Sequence, residues 1–157
     1  CIECLNKVFL NKIKIYLIIG DFYKNINLIK EAAKNSHHKI KILKHLKGIT
    51  NVLKKCNLSI NASGTTMFEL NIVGNLSLSF AVWKSQERIL NLFKDNEKVQ
   101  KIFCKSKKNI QIKKLVLKKL NYLRTNFEYL EGLKNKNIVD IYGAKRVAGW
   151  IKKYHLN

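Results

Sequence analysis

The hydrophobic period changes repeatedly along the chain. Lys12 to Ile19 (KIKIYLII) is rich in β-branched residues and ends at Gly20, which predicts a buried strand. Asn25 to Asn35 places Ile26, Ile29 and Ala33 on one face, the spacing of a helix. Lys39 to Leu43 (KIKIL) alternates like a strand, Ile49 to Cys56 reads as a short helix, and Leu58 to Asn61 as a short strand. Thr65 to Val73 is helical and stops at Gly74, a natural C-cap. Leu76 to Val82 returns to strand character. Gln86 to Asp95 is helical with Ile89, Leu90 and Phe93 inward, and Val99 to Phe103 reads as a further edge strand. Ile110 to Leu130 predicts one long amphipathic helix and Gly143 to Tyr154 a final one. Strict alternation of strand and helix calls for an α/β fold: a Rossmann-like parallel sheet of four or five strands with flanking helices and right-handed crossovers. No repeat, linker or boundary divides residues 1–157, so one domain is expected.

Composition fits this picture. At 157 residues and 46% hydrophobic, the chain is long enough to bury a core without disulfides or a metal. No apolar run reaches the roughly 20 residues of a membrane span. The 31 basic residues outweigh 10 acidic ones, for a net charge of +21. Such a charge first suggests nucleic acid or an anionic surface. Arg88, Arg124 and Arg146 are the only arginines, however, against 28 lysines, and arginine is the residue suited to bidentate phosphate and guanine contacts. Abundant Lys, Asn and Ile with no Pro match AT-rich codon usage, so no specific nucleic-acid partner is expected. Cys1 and Cys4 form a CxxC, but Cys56 and Cys104 stand alone. Reduced thiols in a cytoplasmic protein are the expectation, with no metal and no cofactor. The chain starts at Cys1 without a signal peptide and reads as truncated at its N-terminus.

Ligands of open parallel sheets bind at the C-terminal ends of the strands. Two loops fall there. In Asn61-Ala62-Ser63-Gly64-Thr65-Thr66, Gly64 permits close backbone approach, the following helix offers free N–H groups, and the threonines add hydroxyls, a combination suited to a phosphate or diphosphate. Glu69 follows one turn later, where a carboxylate can accept from sugar hydroxyls. The same residues also read as a helix cap. In the second loop, Gln86 opens a helix within reach of a sugar, and Trp83 reads as packing. The loop is neither a Walker loop nor GxGxxG. His37, His38 and His45 fall in or after a helix-to-strand turn, away from this edge, and no catalytic constellation is present.

The stretches ITNVL (Ile49–Leu53) and CNLSINASGTTMFEL (Cys56–Leu70), then Gly74 and Gln86, resemble the C-terminal domain of GT-B glycosyltransferases, family 28 type. The group is that of the peptidoglycan N-acetylglucosaminyltransferases, and within it the similarity is best to the UDP-sugar hydrolases of pseudaminic acid biosynthesis. Asn57, Asn75 and Ser85 depart from the Asp, Pro and Asn common in that family. The closing run DIYGAKRV (Asp140–Val147) resembles its last motif. The similarity spans about Ile13 to Val147.

The resemblance implies the C-terminal half of a two-domain GT-B enzyme, with UDP contacts at Ser63, Gly64, Thr65 and Thr66, ribose or sugar contacts at Glu69, and a sugar contact at Gln86. It implies cleavage of UDP from a 2,4-diacetamido-2,4,6-trideoxy hexose. The family's catalytic His lies in an N-terminal GHxxR segment that this sequence lacks. The chain alone is therefore expected to be inactive, and a separate N-terminal domain or chain is its implied partner. A glycosyltransferase donor domain is the alternative within the fold. A basic nucleic-acid-binding α/β module is the alternative from another class.

Overall fold

The computed structural model describes residues 1–134 and 139–155; the rest of the expected 1–157 domain lies outside the described residues. The elements run α1 (Ile2–Val8), β1 (Lys14–Ile18), α2 (Ile26–Lys34), β2 (Lys39–Leu43), α3 (Thr50–Leu53), β3 (Leu58–Ala62), α4 (Thr66–Val73), β4 (Leu76–Ala81), α5 (Lys84–Leu92), β5 (Val99–Phe103), α6 (Asn109–Thr125), α7 (Phe127–Gly132) and α8 (Gly143–His155). The fold is α/β and Rossmann-like, and all strand pairings are parallel.

The strands form two sheets rather than one. β1 pairs with β2 from Lys14↔Lys39 to Ile18↔Leu43. A second sheet has the order β3-β4-β5, in register from Leu58↔Leu76 and from Ser77↔Val99. β4 is its centre and is the most buried strand, with Leu76, Leu78 and Phe80 alternating with the small residues Ser77, Ser79 and Ala81.

Alternation along β4 sorts the core into two layers. Leu76 and Leu78 join Ile102, Val116, Leu120 and Leu123 beneath α6, together with Cys4, Leu5 and Val8 of α1. On the other face Ala81 packs with Leu53, Met67, Leu70, Leu90 and Phe93 from α3, α4 and α5. Leu78, Leu90, Phe93 and Leu120 are fully buried.

Two helices differ from the expectation. No element was expected before Lys12, yet α1 is helical and its CxxC is divided, with Cys4 in the core and Cys1 exposed. The long helix expected over Ile110–Leu130 breaks at Asn126, whose backbone leaves the helical region (φ −108°, ψ 20°) and whose side-chain amide donates to the Tyr122 carbonyl at 2.9 Å. Gly74 is as expected: it ends α4 in the left-handed region (φ 83°), where only glycine is unstrained.

Lys113 of α6 reaches Glu3 of α1 at 2.7 Å across the surface. The Lys113 ammonium lowers the Glu3 carboxyl below its ordinary value, and Glu3 raises Lys113 in turn. A depressed carboxyl stabilises the fold above its unfolded pKa and loses that contribution as pH falls through the folded value; the raised lysine loses its share only as pH rises through its own folded value. Glu3→Gln is therefore expected to lower the melting temperature slightly at pH 7. At pH 3, below the ordinary glutamate value of roughly 4.3, the deficit should be smaller, and it should vanish once pH passes below the lowered folded value. Thermal unfolding at both pH values checks this; an equal deficit at both would mean that the ion pair is not its source.

Candidate functional site

The strands end on one edge. The turns that follow β3, β4 and β5 lead into α4, α5 and α6, so three helix N-termini gather there. Exposed Lys84, Lys105, Lys107 and Lys108 lie in or beside these turns. Positive helix ends and lysines together favour an anion.

At the first turn, Ser63 N–H donates to the Phe80 carbonyl at 2.8 Å, which fixes the end of β3 against β4. Gly64 N–H then turns back to Ala62 O at 2.8 Å. Met67 and Phe68 donate to Gly64 and Thr65. Among the described bonds, the N–H groups of Thr65 and Thr66 have no acceptor. No side chain caps α4, so the cap alternative for Ser63 or Thr65 is not what the structure adopts. Gly64 is not in the left-handed region, and a Cβ built on it meets nothing within 4 Å. The turn thus presents two unfilled donors beneath open space.

The side chains divide. Ser63 is wholly buried and its hydroxyl has no partner, so any ligand contact from this residue would need the turn to move. Thr65 is exposed, and Thr66 and Glu69 are half-buried. Glu69 makes no hydrogen bond or ion pair among the described interactions, and it closes no capping box. Beneath the turn lies a buried polar chain that sequence reasoning did not single out. Asn61 donates to Ser79 Oγ at 3.2 Å, and Ser79 reaches Ser77 Oγ at 3.3 Å and Met67 Sδ at 3.0 Å. Asn61 Oδ1 is buried without a partner.

Gln86 sits in the third position of α5, because that helix begins at Lys84 rather than at Gln86. Its Oε1 accepts from Val82 N–H at 2.8 Å and Trp83 N–H at 3.2 Å. The acceptor half of the amide is therefore engaged in capping, and only its NH2 is left to donate outward. Trp83 is 69% exposed, so it is not the packing residue expected.

β2 ends at Leu43, so His45 lies past the C-terminal end of a strand of the two-stranded sheet, 2.8 Å from Asp21 of the β1–α2 turn. His37 and His38 do precede β2, at the opposite edge. The closing element makes local contacts. Asp140 accepts two bonds from Arg146 Nη1, both 2.9 Å, and one from Tyr142 N–H at 2.7 Å, which together hold its carboxyl below the ordinary range. A hollow of about 280 Å³ lies at the opposite end of β5, lined by Lys94, Glu97 and Lys119 among others, away from these turns. Among the described residues no group of His, Cys, Asp and Glu is arranged to hold a metal ion, and no helix is long and apolar enough to cross a membrane. Burial pushes the Cys56 and Cys104 thiols up, away from the reactive thiolate form.

Comparison with protein-family models, curated proteins and solved structures returns no match.

Proposed function

We propose that this chain binds the UDP portion of a nucleotide sugar, as the C-terminal half of a hydrolase that cleaves UDP from a 2,4-diacetamido-2,4,6-trideoxy hexose. The observation that supports this most is the β3–α4 turn, with Thr65 and Thr66 N–H groups lacking acceptors below an open Gly64. A diphosphate oxygen set there would accept both N–H bonds at the positive end of α4. Glu69, unpartnered one turn on, is the acceptor for ribose or sugar hydroxyls. Lys84 and Lys105 supply countercharge from the neighbouring turns. In this reading the half-domain orients the donor and stabilises charge on the departing diphosphate. The general base belongs to a second domain or chain.

Calorimetric titration with UDP, with uridine and with a short RNA at two salt concentrations tests the proposal. UDP is expected to bind and uridine to bind much more weakly, because the diphosphate carries the contact. UDP-sugar is expected to bind without turnover, since a missing general base alone costs ~10²–10⁴ in rate. RNA binding with a steep salt slope and no UDP heat would instead identify a basic nucleic-acid module.

A further inference from the structure

The last helix is amphipathic and keeps its apolar side in solvent. α8 reads GAKRVAGWIKKYH over Gly143–His155. At about 100° per residue, Val147, Trp150, Ile151 and Tyr154 share one face within an arc of about 100°. Elsewhere such faces are covered: α6 buries Val116, Leu120 and Leu123, and α5 buries Leu90. On α8 the four side chains are between 45% and 59% exposed, and every residue from Ala144 to Tyr154 is exposed. Ile141 and Tyr142, just before the helix, are exposed as well. Single apolar residues on a surface need no explanation, but a contiguous stripe marks an interaction site.

The opposite face is basic. It carries Lys145, Lys152 and Lys153, and the helix holds no acidic residue. Arg146 lies beside them but is already neutralised by Asp140, through two bonds of 2.9 Å. Lys153 stands at the border of the stripe, its ammonium 5.3 Å from the centre of the Tyr154 ring. That ring lies 5.0 Å from the ring of Trp150. A lysine in this position can lay its stem along the stripe and keep its charge at a polar boundary.

Charge decides what covers the stripe. A second copy would bring the same lysines, from a chain of net charge +21, against the first set. An uncharged apolar groove would cover the stripe and leave the lysines without counterions. An anionic lipid surface meets both faces at once, with headgroups taking the lysines and the acyl boundary taking the stripe. Trp and Tyr are the aromatic residues suited to that boundary. At 13 residues α8 is about 20 Å long, short of the roughly 30 Å of bilayer hydrocarbon, so it would lie along the surface and not across it.

We propose that α8 is an in-plane anchor that seats this protein on an anionic lipid surface, with Val147, Trp150, Ile151 and Tyr154 in the acyl boundary and the lysines among the headgroups. The assignment rests on α8 alone and is independent of the nucleotide reading.

The test is co-sedimentation of the full chain with vesicles of phosphatidylglycerol and phosphatidylcholine in equal parts, and with vesicles of phosphatidylcholine alone. Trp150 fluorescence is the second readout; the chain has two tryptophans, so Trp83→Phe supplies the background. The protein should bind the anionic vesicles, with Trp150 emission shifting to the blue, and bind the neutral ones far less. Val147→Glu with Ile151→Glu should cut binding by roughly tenfold or more, since burying one such side chain alone corresponds to about that factor. Both sites are exposed, so this variant should keep the parent's circular dichroism and Tm. Lys152→Glu with Lys153→Glu should weaken binding more than Lys30→Glu with Lys34→Glu on α2, which lowers the net charge equally. No binding to the anionic vesicles overturns the proposal. Binding that persists in Val147→Glu with Ile151→Glu and leaves Trp150 emission unmoved is general adsorption of a cationic protein, and overturns it too. A blue shift that grows with protein concentration in the absence of vesicles assigns the stripe to a second copy and also overturns it.

Discussion

Leu78→Ala should destabilise the protein by about 2–5 kcal/mol, the range for emptying a fully buried leucine site. Leu78 has no exposed surface and lies on the central strand, between Ile60 and Gln100 in register. Its side chain faces the layer that α1 and α6 close. Strands on both sides restrict β4, so the cavity has little means of collapsing. For a chain of this length each kcal/mol lowers Tm by roughly 2–4 °C, so the shift should be plain. Leu92→Ala is the matched control: Leu92 is 56% exposed on α5 and should change stability by no more than ~0.5 kcal/mol. Urea denaturation of both variants checks this. A Leu78 effect as small as the Leu92 one would mean that the layer beneath α6 is not packed as described.

The sequence is most legible where local period and burial agree. KIKIL at Lys39–Leu43 and VQKIF at Val99–Phe103 are strands over those same residues, and Gly74 ends α4 with the positive φ that its position suggests. Legibility fails where tertiary context decides. The seven residues of α1 are too few for a periodic signal, and their CxxC drew attention to metal chemistry instead; the helix exists because Cys4, Leu5 and Val8 find a core beneath α6. Apolar spacing continues from α6 into α7, so it gives no warning of the break that Asn126 makes through its own backbone and side chain. The separation into two sheets is a matter of strand neighbours, which alternation of elements leaves open.

The candidate site divides along similar lines. That a turn with a glycine and two threonines would head a helix at the strand ends was readable from the order of elements. The capping role of Gln86 was not, because it depends on α5 starting two residues earlier. Nor was the burial of Ser63, which follows from the bond that seats it against Phe80. The pairing of His45 with Asp21 was not legible either, because it depends on β1 and β2 lying side by side, which brings the turns after them together.

Glu69→Ala should weaken UDP binding by about 10–150-fold. A carboxylate accepting from two ribose hydroxyls contributes on the order of 1.5–3 kcal/mol, and about 1.4 kcal/mol is tenfold in affinity. The same change should leave the fold nearly untouched, since Glu69 caps nothing and has no partner among the described interactions; its favourable position in the first turn of α4 is worth only ~0.3–1 kcal/mol. Glu69→Gln keeps the shape and the acceptor oxygen, so it should recover part of the affinity. Gly64→Val reaches the same ligand by geometry. Because a Cβ at Gly64 meets nothing and the backbone is not left-handed, the substitution should fold normally. The branched side chain would instead fill the space above the Thr65 and Thr66 N–H groups and abolish UDP binding. Calorimetry and thermal unfolding on the three variants separate the cases. UDP affinity equal to the parent in Glu69→Ala, together with a lowered Tm, would make the carboxylate a structural group of α4. Parental affinity in Gly64→Val would place the diphosphate elsewhere than on this turn.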